Sequence, residues 1–290
     1  MESMLYNTDA IVVRNLTYGE THAIVNLLTP TGLVAAMARG AKKPQSRLAA
    51  SIQLCAQGKY SIYQNTGMGT LQQAEVTNSR RGLREHLFLA AYASYFCELV
   101  LAVAADRPDG SEGLYRTFET VLDRLTNLPD EALTTRILWE VKVLMQVGAS
   151  PQWTKCIHCG HEDNTLVAYS PSEGGLLCES CFATKSEHSI VTPAKLPNVL
   201  ENLRKVPAQR IGSIRLSEEV TKAAALVLRM QLQEYGGIHL KSQKFLDDLE
   251  SDNLLEEFLS TEKTPVSSDR VSKASKVSKR GVQEKCDDKN

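Results

Sequence analysis

Four cysteines stand in two pairs, Cys156-Ile157-His158-Cys159 and Cys178-Glu179-Ser180-Cys181, with eighteen residues between them. Thiolate is a soft ligand, and two Cys-x-x-Cys knuckles at this separation can meet as one tetrahedral sulfur site. Strand-like pieces at Leu166–Tyr169 and Leu176–Leu177 flank the turn-forming Ser170-Pro171-Ser172-Glu173-Gly174-Gly175, which would bring one knuckle opposite the other. The pattern predicts a zinc ribbon with one structural ion, because four thiolates leave no coordination position for water. A redox dithiol pair is the competing chemistry. His158 and His161 are substitute ligands on offer, but four sulfurs already satisfy the ion, so both are expected at the surface or behind the ligands.

The second chemical feature is a charge run, Arg39-Gly40-Ala41-Lys42-Lys43-Pro44-Gln45-Ser46-Arg47, with four cations and no anion. Residues 1–85 carry nine Lys/Arg against five Asp/Glu, although the whole chain of 290 residues has a net charge of −1. Such a loop suits a phosphate backbone, where affinity comes from displaced counterions. A merely solvated loop is the alternative. Tyr60 and Tyr63 are candidate base-stacking platforms, but odd and even positions of a strand face opposite sides, so at least one belongs in the core. Arg80, Arg81 and Arg84 form a second basic cluster, in which Arg81 or Arg84 would serve equally as a helix-face ion-pair residue.

Other signatures of catalysis are missing. The chain has no G-x-x-x-x-G-K-[ST] phosphate loop, no H-E-x-x-H and no G-x-S-x-G. Gly67-Met68-Gly69 reads as a hairpin turn. A zinc deaminase needs His two residues before Glu and Pro before the cysteine pair, whereas here His161-Glu162 are adjacent and Lys155 precedes Cys156.

These residues must be held by elements of two kinds. Apolar runs at Ala10–Val13, Ala23–Leu28, Leu33–Ala38, Lys59–Tyr63 and Leu71–Val76, separated by Gly-containing turns, predict five strands and a small closed barrel over residues 1–80. From Gly82 the pattern becomes helical: one helix to about Asp106, stopped by Arg107-Pro108-Asp109-Gly110, a second capped by Ser111 and a third from Asp130 to Gly148. In the third, Leu133, Ile137, Leu138, Val141, Leu144 and Met145 share a face. The ribbon (153–185) interrupts this helical domain (81–152 and 186–250), which resumes near Pro193–Arg204 and Ser217–Tyr235, with Gly236-Gly237 as a C-cap signal. Residues 260–290 are Ser/Lys-rich with few large apolar side chains and are expected to be disordered.

Leu87 to Ala105 is apolar enough to span a bilayer, but Glu98 would then sit near its centre and no basic flank sets an orientation, so a buried central helix is expected. Met1–Asp9 has neither a basic nor an apolar leader region. Cys55 and Cys97 read as buried thiols, Cys286 lies in the polar tail, and zinc knuckles without a disulfide framework point to a reducing, intracellular compartment, with a cytoplasmic, nucleoid-associated protein expected.

Taken in order, the residues resemble a known family. Ala10-Ile11-Val12-Val13-Arg14, Tyr18-Gly19-Glu20, Leu27-Leu28-Thr29 with Gly32, and Ala38-Arg39-Gly40-Ala41 with Lys42-Lys43-Pro44 look like the amino-terminal barrel of RecO proteins. The likeness continues through Ala74-Glu75-Val76, Arg81-Gly82-Leu83-Arg84, both cysteine pairs, Ser170-Pro171, Gly174-Gly175-Leu176-Leu177 and Leu240-Lys241-Ser242 with Phe245-Leu246. The resemblance implies an α+β fold: an OB-fold barrel, then an α-helical domain with an inserted four-cysteine zinc ribbon. It implies a non-enzymatic DNA repair and recombination mediator that binds single- and double-stranded DNA and anneals complementary strands. Implied partners are RecR, the acidic tail of single-strand binding protein (SSB) and, functionally, RecA, with no membrane. Arg39, Lys42, Lys43 and Arg47 would be the leading DNA contacts, joined by Arg14, Arg80, Arg81 and Arg84. Lys241 and Lys244, beside Leu240, Phe245 and Leu246, would receive the acidic tail; a capped terminal helix that packs Phe245 inward is the alternative. A zinc-ribbon protein–protein adaptor that leaves DNA alone is the second functional class.

Overall fold

The computed structural model describes residues 4–64, 67–104, 112–162, 165–185 and 188–251. Asn65-Thr66, the helix stop at Arg107–Gly110, the Ser111 cap, the 260–290 tail and Cys286 lie outside the described residues.

The five apolar runs form β1 (Met4–Tyr18), β2 (His22–Thr29), β3 (Gly32–Ala38), β4 (Gln57–Gln64) and β5 (Gly69–Asn78). β1 is long because it serves two neighbours: Met4–Ile11 pair with β4, and Ile11–Tyr18 pair with β2. Its unbroken apolar stretch follows from burial on both faces. Val12 lies in the interior formed with Val25, Leu27, Tyr60 and Ile62, while Ile11 and Val13 join the helical core.

The strands follow one another in the ring order β1-β2-β3-β5-β4. Four neighbouring pairs are antiparallel, but β3 and β5 run parallel and meet only at Ala36↔Gly69 and Met37↔Thr70. The closed barrel expected of these five runs is present; what is corrected is the wider expectation of an OB-fold barrel followed by an α-helical domain with an inserted zinc ribbon, each a unit of its own. The first region is a mixed five-stranded sheet whose ring has one short parallel seam. Its physical origin is that β5 touches β3 with its first two residues only, then commits to its antiparallel ladder with β4. Nor is the ribbon packed apart, because its strands share the helical core.

Helices follow: α1 (Gly82–Glu85), α2 (Leu87–Ala104), α3 (Glu112–Asn127), α4 (Ala132–Gln146), α5 (Glu179–Thr184), α6 (Leu196–Lys205), α7 (Glu218–Glu234) and α8 (Ser242–Ser251). Between α4 and α6 a three-stranded sheet has the order β7-β6-β8, made of β6 (Leu166–Ser170), β7 (Gly175–Cys178) and β8 (Ile190–Val191). α2 is long and apolar enough to cross a membrane, yet twelve of its residues are buried against α4, α8 and the sheet. Glu98, the residue that argued against a span, accepts hydrogen bonds from the Lys241 and Ser242 amides and caps α8.

α4 is buried nearly all round, including charges that a one-faced helix would keep in water. Arg136 bonds Glu140 at 2.8 Å and Glu250 of α8 at 2.8 Å, and Tyr95 donates to Glu140 at 2.5 Å. Desolvation opposes the Arg136 charge, but Glu140 and Glu250 outweigh it and hold its pKa above the usual value. Met145, expected on the apolar face, is 41% exposed at the helix end.

Candidate functional site

The four cysteines converge. Their sulfurs all lie within 4.8 Å of one another, and Cys159 and Cys178 are 3.8 Å apart. A tetrahedron with Zn–S bonds of 2.3 Å has an edge of about 3.8 Å, so the donor set fits such an ion. The first knuckle is a tight turn: Gly160 N–H donates to Cys156 O, with Gly160 in the left-handed region (φ 76). The second places Cys178 at the N-cap of α5, so Cys181 follows one turn later. Cys178 N–H donates to Cys156 sulfur at 3.4 Å.

The four sulfurs sit in unequal surroundings. The Ser180 hydroxyl holds Cys178 down to about 6, while burial pushes Cys181 up to about 12. A divalent cation would satisfy all four at once. His158 and His161 stay outside this cluster; His158 faces Glu173 at 3.4 Å, and His161 accepts the Cys156 amide through its backbone carbonyl.

The ribbon is clamped to the helices beneath it. Tyr169 donates to Gln231 of α7 at 2.6 Å, and Gln231 donates to Ala149 O at 2.9 Å. The ring of Tyr235 lies over the β6–β7 turn: its hydroxyl donates to Pro171 O, and a Cβ on Gly174 would stand 2.3 Å from the ring. Gly174 also has φ 69, so it meets two demands that other residues fail.

At the far end of the β1–β2 ladder the Arg39–Arg47 loop is folded on itself and tied to the hairpin. Gly40 N–H donates to His22 Nδ1 and Lys42 N–H to Thr21 O, both at 2.9 Å. Arg39, Lys42, Lys43 and Arg47 are all exposed, and among the described residues none of them makes a salt bridge. Arg14 is exposed too. Tyr60 is buried and donates to Ser51 O, whereas Tyr63 is 39% exposed, as strand alternation requires.

The second basic cluster is split between core and surface. Arg80 is fully buried as a side chain: it holds Asp123 at 2.7 Å, Gln57 Oε1 at 2.7 Å and Cys55 O at 3.2 Å. It ties sheet to helix, which removes it from any DNA-facing set. Arg84 donates to Leu54 O and Ser79 O, and Arg81 pairs with Glu85 at the surface. Cys55 and Cys97 are buried at the same joint, 3.6 Å apart, with the Cys97 thiol pushed up by burial.

Lys241 and Arg14, far apart in sequence, line one groove of about 570 Å³ between sheet and helices, together with Leu54, Glu98, Leu101 and Leu240. Lys244 does not line it. Phe245 is 49% exposed and Leu246 is buried instead, so the alternative that packs Phe245 inward is also corrected. Glu98, which accepts from the Lys241 and Ser242 amides beside this groove, was visible in the sequence only as a lone acid in an apolar helix.

Comparison with known proteins follows the same division. A family model described as Recombination protein O N terminal matches residues 1–80, and one described as Recombination protein O C terminal matches 84–244. The DNA repair protein RecO of Bacillus subtilis (strain 168) is 37% identical over 252 residues, which cover 86% of this chain and 96% of the relative. RecO of Halalkalibacterium halodurans is 36% identical over 252 residues, with 86% and 96% covered. RecO of Bacillus cereus (strain AH187) is 36% identical over 251 residues, with 85% and 98% covered. The chain belongs to the RecO family of DNA repair proteins.

Proposed function

We propose that this protein mediates recombinational repair by holding DNA on its cationic loop and promoting annealing of complementary strands. The observation that carries this is the group of four exposed cations, Arg39, Lys42, Lys43 and Arg47, which form no salt bridge among the described residues, on a hydrogen-bonded loop. Cations that neutralise phosphates on two strands lower their mutual repulsion and let base pairing begin. Of the other basic residues, Arg14 is exposed, whereas Arg81 pairs with Glu85 and Arg84 donates to the Leu54 and Ser79 carbonyls. No covalent chemistry is required.

Cys156, Cys159, Cys178 and Cys181 would hold one zinc ion, whose role is to fix the ribbon fold. The expected partners are single- and double-stranded DNA, RecR and the SSB tail, with RecA loaded downstream onto SSB-coated strands in the cytoplasm. Lys241 and Arg14, with Leu54, Leu101 and Leu240 beside them and Glu98 engaged by the start of α8, offer two cations and apolar contacts to an acidic tail with a hydrophobic end.

The test is annealing of two complementary fluorescent strands pre-coated with SSB, with and without the protein, at low and moderate salt. Acceleration that fades with salt, and with Arg39, Lys42, Lys43 and Arg47 all changed to Ala, is the expected result. Absence of acceleration by the folded, zinc-loaded protein would instead favour the protein–protein adaptor.

A further inference from the structure

The sheet face beside the basic loop carries more than charge. A bulge between Val12 and Arg14 reverses the side-chain alternation of β1. Beyond it Asn15 and Thr17 sit opposite the buried Val25 and Ala23, so Arg14, Leu16 and Tyr18 turn outward. Their neighbours continue the rows across the sheet: Leu16 lies beside Ile24, and Ile24 beside Met37, while Tyr18 lies beside His22.

Leu16 is 41% and Tyr18 55% exposed, with Ile24, Met37 and His22 half-buried between them. The rows are about 7 Å apart and the strands about 4.8 Å. Arg14 stands at one end of the face, and the loop that begins at Arg39 is fastened to the other through His22 and Thr21. Of the carboxylates, Glu20 lies in the hairpin turn, and Glu98 shares the groove that Arg14 lines. The helical core meets the sheet at Ile11, Val13, Leu28 and Leu33, the opposite end of the same ladder.

We infer that this face is a base-stacking platform for single-stranded DNA, with Tyr18 as its principal aromatic and the loop cations on the phosphates. The inference rests on the DNA-binding reading above. Charge selects the occupant: an apolar strip bordered by cations at both ends fits a polyanion with flat, uncharged faces. A single strand can lay its bases on such a strip, whereas a duplex keeps them stacked inside. A base stacked on Tyr18 keeps its pairing edge free for an incoming strand, which is what annealing needs.

The test measures fluorescence anisotropy of a labelled oligothymidine, and of a duplex of equal length, across a salt series. It compares the unsubstituted protein, Tyr18→Ala, Tyr18→Phe and the fourfold loop variant. Tyr18→Ala should weaken single-strand binding about tenfold at every salt concentration. The salt slope and duplex affinity should be unchanged, and Tyr18→Phe should bind as the parent does. An oligonucleotide carrying 5-iododeoxyuridine should photocrosslink to Tyr18, located by mass spectrometry, so a poorly folded Ala variant leaves a second measurement standing. Wild-type affinity in Tyr18→Ala with crosslinks elsewhere, or an equal loss for duplex, would overturn the inference while leaving the loop's role intact. A parent protein without salt-dependent binding would overturn both.

Discussion

The cysteine cluster and the cationic sheet end are built on opposite physical plans. The cluster is closed: three of its four cysteines are buried, backbone amides point at sulfur, and Tyr235 and Gln231 lock the ribbon to α7. The sheet end is open, with Arg39, Lys42, Lys43, Arg47 and Tyr18 exposed on a hairpin and loop that depend on backbone bonds rather than on those side chains. Groups whose interaction energy is used internally stabilise the fold, and groups left without partners are available to a ligand. Perturbing the first should cost stability, and perturbing the second should cost binding.

The largest expected effect tests the closed plan. Cys156→Ser, or a strong chelator, should release the metal and lower stability by several kcal/mol, because zinc binding is largely folding energy for so small an element. At about 2–4 °C per kcal/mol for a chain of this size, the thermal midpoint should drop by roughly 10 °C or more. Full zinc content with an unshifted midpoint in Cys156→Ser would break the assignment.

Arg80→Ala comes next and separates sequence from structure most directly. It leaves Asp123, Gln57 and the Cys55 carbonyl without their partner, at a cost of about 2–3 kcal/mol, since Asp123 is itself partly solvated. Its salt slope for DNA binding should match that of the parent. A stable Arg80→Ala protein with a flattened slope would return Arg80 to the DNA surface.

Gly174→Ala should cost about 1–2 kcal/mol for the left-handed backbone alone, and more because the Tyr235 ring must move. Zinc content should be retained, as Gly174 is not a ligand. Loss of metal in this variant would show that docking to α7 and metal binding are one event.

The fourfold loop variant has the smallest effect on stability, within about 0.5 kcal/mol by denaturant melting. Its consequence lies in binding: four lost phosphate contacts should flatten the single-strand salt slope by about 3. An unchanged slope would place the DNA elsewhere.

Much of this was legible before any coordinates. Alternation and turn residues located all five strands, and a helical pattern located α3, α4, α6 and α7 to within a few residues. One predicted helix is divided at His86, which is extended, so α1 and α2 are separate. That break carries no proline or glycine and left no local signal.

What the sequence determined by itself were properties of spacing and composition. Two Cys-x-x-Cys pairs joined by a turn-bearing hairpin define a four-sulfur site, and four cations without an anion define a basic loop, because both depend on neighbours along the chain. Tertiary structure alone decided which charges face water. Arg80 and Arg14 look alike in sequence, yet Arg80 is buried at the sheet–helix joint and Arg14 is turned outward by a bulge between Val12 and Arg14. The parallel β3–β5 seam, the capping of α8 by Glu98 and the groove shared by Arg14 and Lys241 likewise join residues remote in the chain. Periodicity describes how a segment meets its own neighbours; partners tens to hundreds of residues away are chosen by packing.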